Sequence, residues 1–172
     1  AQKLEGEGFF GKTEAWHVLE AETNAELIAG IKPNVSAEQL TAAIQSKSEK
    51  TLELVEKVKV VPGDTLFMHP GTVHALGPGM LIYEIQQTSD ITYRVYDWGR
   101  PETETRKLHI DKAVAVSNPN AASLPVNSTS ATFLEGSQAH TYAIPADLAR
   151  RLAQRGLGSR WEYNPEGTSI QT

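Results

Sequence analysis

A mainly β chain, a barrel of short strands with a short helical insertion and a partly helical C-terminal tail, is what the sequence predicts. Three observations carry this. Residues 59–109 are dense in β-forming residues and are broken by Pro62-Gly63-Asp64, Pro70-Gly71 and Gly77-Pro78-Gly79. Helical spacing of apolar residues is confined to two short regions, one after Ser36 and one after Pro145. No repeat of 20–50 residues is visible.

The elements follow in order. Residues 1–12 are rich in glycine and glutamate and read as a loop. Trp16 and Val18 mark a strand over 14–20, Asn24-Ala25 a turn, and 26–31 a second strand ending near Pro33. Ser36-Ala37-Glu38-Gln39 is a capping-box pattern, and Leu40, Ala43, Ile44 and Lys47 continue it with helical spacing. Leu52 and Val55, three apart, predict a further helical turn or two over 51–57. Strands are expected at 65–69, 80–87 and 91–97. Residues 117–130, rich in Ser, Asn, Pro and Ala, read as a linker, and Leu148 and Leu152 predict a helix over 145–154 that Gly156 stops.

Composition excludes several classes. A chain of 172 residues buries a core without disulfides or a structural metal. A hydrophobic share of 40% and a charged share of 22% are those of a globular protein. The net charge of -5, with no basic stripe, argues against a nucleic-acid partner. There is no cysteine, so disulfides and thiolate metal sites are excluded. No apolar run approaches the roughly 20 residues that span a bilayer, and no secretory signal stands at the start. A cytoplasmic chain with a small-molecule partner and no membrane partner is expected.

The chemistry concentrates on the inward faces of the predicted strands. Gly71 permits a tight turn that presents His74 at a strand start, where an imidazole binds a metal or serves only the structure. Glu14 alternates with Trp16 and Val18. On an inward face it is a carboxylate in an apolar barrel, which demands pairing or a metal, and otherwise it is a surface glutamate at a fraying strand end. Glu84 shares a face with Met80, Ile82 and Gln86, and Arg94 with Thr92 and Tyr96. Two inward charges predict a polar cavity for a ligand, or an internal ion pair between Glu84 and Arg94.

Together these stretches resemble the type I mannose-6-phosphate isomerases, in their short bacterial form. The resemblance lies in Gly11-Lys12-Thr13-Glu14-Ala15-Trp16, in Pro62-Gly63-Asp64 with Gly71-Thr72-Val73-His74-Ala75-Leu76, in Glu84-Ile85-Gln86-Gln87-Thr88-Ser89-Asp90, and in Thr92-Tyr93-Arg94-Val95-Tyr96-Asp97. It covers residues 11–116. It implies a cupin-type barrel (jelly roll) over 1–116, with 117–172 a linker and C-terminal segment, a remnant of a second cupin. It also implies interconversion of mannose 6-phosphate and fructose 6-phosphate through a metal-assisted enediol, with one Zn2+ per chain. Glu14 and His74 match metal-ligand positions, Lys12 and Arg94 match phosphate-binding or catalytic positions, and Glu84 matches a carboxylate near the reacting carbons. Two departures stand out. His69, followed by Pro70, replaces the family's proline before the histidine turn. The family's Gln-x-His-Pro motif, upstream of the Gly-Lys-Thr-Glu segment, supplies a further histidine ligand that this chain lacks, so a fragment is expected. With two ligands where a catalytic zinc takes three, the alternative is a non-catalytic sugar-phosphate or metal-binding cupin.

Overall fold

The computed structural model describes residues 5–6, 11–87, 89, 91–121, 124–126, 130–135, 138–143 and 170–171. The strands are β1 (Glu14–Ala21), β2 (Glu26–Ile31), β3 (Val55–Lys59), β4 (Thr65–Met68), β5 (His74–Ala75), β6 (Met80–Gln86), β7 (Arg94–Tyr96), β8 (Leu124–Val126), β9 (Ser130–Glu135), β10 (Gln138–Ala143) and β11 (Ile170–Gln171). The helices are α1 (Ala37–Gln45), α2 (Lys50–Leu54) and α3 (Ile110–Val116). The chain is mainly β, as its composition of short strands predicts. No helix among the described residues is long and apolar enough to cross a membrane.

Two antiparallel sheets face each other. One has the order β6-β1-β4-β8, the other β3-β2-β5-β11-β7, and β9 with β10 forms a separate hairpin. Between the sheets lie Trp16, Val18, Leu66, Met68 and Ile82 from the first and Leu27, Ala29 and Leu76 from the second. The described strands are thus not hydrogen-bonded into one closed ring; the barrel is two sheets packed face to face. Helices α1 and α3 cover the outer face of the five-stranded sheet, where Leu40, Ile44 and Ala113 pack on Ile28, Val73, Ala75 and Val95. Burying that second face keeps β2 apolar on both sides.

Local signals explain the elements. Ser36 caps α1: its hydroxyl accepts from the Gln39 backbone N–H and the Gln39 side chain returns a bond to the Ser36 N–H, the reciprocal box the sequence predicts. The helix expected over 51–57 stops at Leu54. Val55 and Val58 pair with Ile31 and Leu27 of β2, and the sheet takes them over helical spacing. The strand expected from 91 begins at Arg94. Within 117–130, Leu124–Val126 pairs with Thr65–Phe67. Pro125 is tolerated there because β8 is an edge strand. The helix expected over 145–154 lies outside the described residues.

The turn at Gly77 has no room for a side chain. A Cβ there would stand 1.8 Å from the Glu26 carbonyl oxygen. Gly77→Ala is expected to lower stability by about 2–3 kcal/mol through this clash, measured as the midpoint shift in urea unfolding with an unchanged slope.

Candidate functional site

Glu14 opens β1 on its inner face, opposite Met68 on one side and Gln86 on the other. Its side chain is 1% exposed. His74 begins β5 on the facing sheet, beside Ala29 of β2 and Gln171 of β11. The two side chains meet across the interior: His74 Nε2 is 3.4 Å from Glu14 Oε2. Gly71 makes the turn before His74. Its φ is +84°, and a Cβ would come within 2.7 Å of the Val116 carbonyl oxygen, so the turn demands glycine on both counts.

The orientation of the His74 ring follows from its partners. Its Nδ1 lies 2.7 Å from the Thr72 carbonyl oxygen. A carbonyl only accepts, so Nδ1 donates there and Nε2 is the nitrogen that faces Glu14. This is the second-sphere arrangement that orients a metal-binding histidine. The Trp16 ring packs edge-on to His74 at 5.3 Å and fixes the imidazole plane from the side.

Both carboxylate oxygens of Glu14 are buried, and the Lys12 ammonium pairs with Oε1 at 2.6 Å. Burial pushes the Glu14 carboxyl up, but His74 and then Lys12 pull it further the other way, to a pKa of about 2. The carboxylate is therefore anionic at any working pH.

Lys12, Glu14 and His74 come together. Glu84, buried on the inner face of β6, lies opposite Trp16, one cross-strand pair deeper than Glu14. Arg94 lies one strand beyond Gln171, and its Nη1 donates to the Lys107 carbonyl at 3.3 Å. The side chains of His17, His69 and His109 serve elsewhere. His17 is on the outer face of β1, 2.8 Å from the Thr65 hydroxyl. Exposed His69 packs its ring against Phe67 at 4.7 Å. His109 Nδ1 accepts from the Arg94 backbone N–H at 3.0 Å, and burial followed by the charges of Arg94 and Lys112 lowers its pKa. A cavity of about 310 Å³ beside Trp98 is lined by Ile28, Lys57 and Ala75, and neither Glu14 nor His74 borders it.

Gln171 joins the site without any forewarning in the sequence. Its side-chain amide lies 3.4 Å from His74 Nε2. Rotating the amide by half a turn exchanges its nitrogen for its oxygen at that position. Two donors about 2.0–2.1 Å from one tetrahedral zinc stand about 3.3–3.4 Å apart, and the Glu14–His74 separation is 3.4 Å. The buried Glu14 carboxylate, Nε2 of His74 and the Gln171 amide are donors of the kind that suit a hard or borderline divalent cation. Among the described residues no group of three His, Cys, Asp and Glu side chains converges on one point.

The low pKa of Glu14 has a stability consequence. A carboxyl near 4.5 in the unfolded chain and about 2 in the folded one stabilises the fold above the unfolded value, and this is lost as pH falls toward 2. In chelator-treated protein, unfolding free energy is expected to fall by about 3 kcal/mol from this group between about pH 6 and pH 2, and Glu14→Gln is expected to flatten that part of the acid limb.

No family model matches the chain. It is 42% identical over 111 residues to the mannose-6-phosphate isomerase ManA of Bacillus subtilis, covering 63% of this chain and 34% of that protein. To the mannose-6-phosphate isomerase of Streptococcus mutans it is 42% identical over 118 residues, covering 67% of this chain and 36% of the relative. The chain thus spans about a third of the length of the curated relatives it matches. A crystal structure of the mannose 6-phosphate isomerase from Bacillus subtilis superposes with a TM-score of 0.62 at 33% identity, covering 81% of this chain and 44% of that one. A putative mannosephosphate isomerase from Archaeoglobus fulgidus shares the fold, with a TM-score of 0.56 at 22% identity. In sequence and in its cupin-type fold, the chain is a homologue of the mannose-6-phosphate isomerases.

Proposed function

We propose that this chain carries the metal and substrate site of an aldose–ketose isomerase that interconverts mannose 6-phosphate and fructose 6-phosphate. The observation that carries the reading is the convergence of Glu14 and His74 across the two sheets, both buried and 3.4 Å apart. Similarity to relatives named mannose-6-phosphate isomerase supplies the substrate class.

In this reading Glu14 and His74 hold a divalent cation, Zn2+ by the chemistry of the donors, and Gln171 adds an amide oxygen. The cation, when bound, supplies a Lewis acid that polarises the sugar's carbonyl and hydroxyl oxygens. The chain's own residues do the rest. A proton must leave C2 of the aldose and be returned to C1, and the hydroxyl and carbonyl exchange places. Lys12 donates to Thr92 and Gln86 and neutralises Glu14, so it is committed. In this reading Glu84, a buried carboxylate on the same inner face, carries the proton. Arg94 lies on the same sheet as His74, across Gln171, and its fixed cation suits the phosphate or the negative charge that develops on oxygen. The apolar floor of Val18, Leu66 and Ile82 excludes water from the reacting carbons.

A second reading keeps the pocket without turnover: a sugar-phosphate or metal-binding cupin. The lack of a third His, Cys, Asp or Glu in the cluster, among the described residues, favours it. Zinc titration followed by a coupled assay for fructose 6-phosphate separates the two. Stoichiometric zinc with turnover supports the isomerase, zinc without turnover supports the binding domain, and no zinc binding overturns both. His74→Ala is expected to weaken zinc binding by about 100-fold or more, since one of few ligands is lost. In an active protein, Glu84→Gln is expected to lower kcat by about 100-fold or more while leaving zinc content unchanged.

A further inference from the structure

The resemblance assigns Lys12 to phosphate or to catalysis, but its contacts point inward. Its Nζ donates to Thr92 Oγ1 at 3.0 Å and to Gln86 Oε1 at 3.4 Å, and it sits 2.6 Å from Glu14 Oε1. The Lys12 side chain is 14% exposed and that of Glu14 is 1% exposed. The three acceptors come from three separate places: the start of β1, the end of β6 and the segment before β7. An ammonium has three protons, and each of these directions is taken by a protein oxygen. A substrate phosphate would reach Lys12 only by displacing one of them.

Resting on the metal-site reading above, we propose that Lys12 is the resident counter-ion of the Glu14 carboxylate, neutralising it when no metal is bound and weakening the grip on the metal when one is. Thr92 and Gln86 are then positioning residues that hold the ammonium against Glu14. The physical argument is one of charge. An isolated carboxylate buried between two sheets is costly, and an adjacent ammonium offsets that cost. A divalent cation drawn to the same carboxylate is repelled by the ammonium at close range in a medium of low polarity. The same residue therefore stabilises the metal-free fold and lowers metal affinity.

These two effects have opposite signs in one variant. Lys12→Met keeps the unbranched stem and removes the charge. Isothermal titration with Zn2+ alone is expected to show binding about ten-fold tighter than in the unsubstituted chain, or about 1.4 kcal/mol. The chelator-treated variant is expected to melt lower by about 5 °C. Thr92→Val is expected to move both readings the same way by less, and Thr92→Ser to restore them. A residue that only binds substrate would leave zinc affinity and metal-free melting unchanged. Unchanged or weaker zinc binding in folded Lys12→Met overturns the proposal while leaving the metal site standing. Absence of zinc binding in both proteins overturns the metal site and this inference together. Should Lys12→Met not fold, Thr92→Val decides: tighter zinc supports the counter-ion role, and unchanged zinc overturns it.

Discussion

One carboxylate, that of Glu14, is held out of water between two sheets, and much of the surrounding structure answers that constraint. An anion with 1% exposure needs polar partners, and the fold delivers two from opposite sides. Lys12 arrives along the same chain, two residues earlier. His74 arrives from the facing sheet, sixty residues later, with its proton fixed on the far nitrogen by the Thr72 carbonyl. Register is therefore unforgiving. A one-residue slip of β1 against β4 and β6 would send Glu14 to the outer face and bring His17 inward, exchanging the anion for an imidazole.

The inner surface is graded along its strands. At one end lie Gln86, Glu14 and Lys12 with His74, Gln171 and Arg94 opposite; one pair deeper come Glu84 and Trp16; beyond them Val18 and Ile82 are wholly apolar. The polar end tolerates charge because the core does not depend on it. The helices α1 and α3 seal the outer face of the five-stranded sheet with a second apolar layer, and Leu19 and Tyr83 make a third cluster outside the four-stranded one. Hydrophobic burial on three levels supplies the stability, which leaves one end of the interior for polar groups.

Much of this was legible because it is local. Period-two alternation put Glu14 with Trp16 and Val18, and His17 opposite, and the structure has them so. Ser36 and Gln39 announced a helix start that needs no tertiary partner. Failures came where distant pairing decides. Leu52 and Val55 fit a helix in isolation, but β2 offers Val55 and Val58 a ladder. Residues 117–130 look like a linker by composition, yet β4 has a free edge that Leu124–Val126 fills. Gln171 was beyond reach: a two-residue strand has no periodicity, and its neighbour His74 is 97 positions away.

The Glu14–His74 contact also discriminates between a simple ion pair and a ligand pair. A charge-assisted N–H···O bond settles at about 2.7–2.9 Å, whereas these atoms stand 3.4 Å apart. The imidazole's Nδ1 is engaged by the Thr72 carbonyl, and Nε2 is the nitrogen left to face a ligand. Lys12 is beside the carboxylate, and a bridging cation would lie between carboxylate and imidazole. With the ammonium in place the charge is balanced before any metal arrives, so the two-sheet core folds on its own packing and the metal has no folding task. This separates the proposed centre from a structural zinc site, which is closed by four protein ligands and whose loss unfolds the domain. A centre with few protein ligands and a built-in counter-ion keeps positions open for sugar oxygens, and that openness is what carbonyl transfer requires.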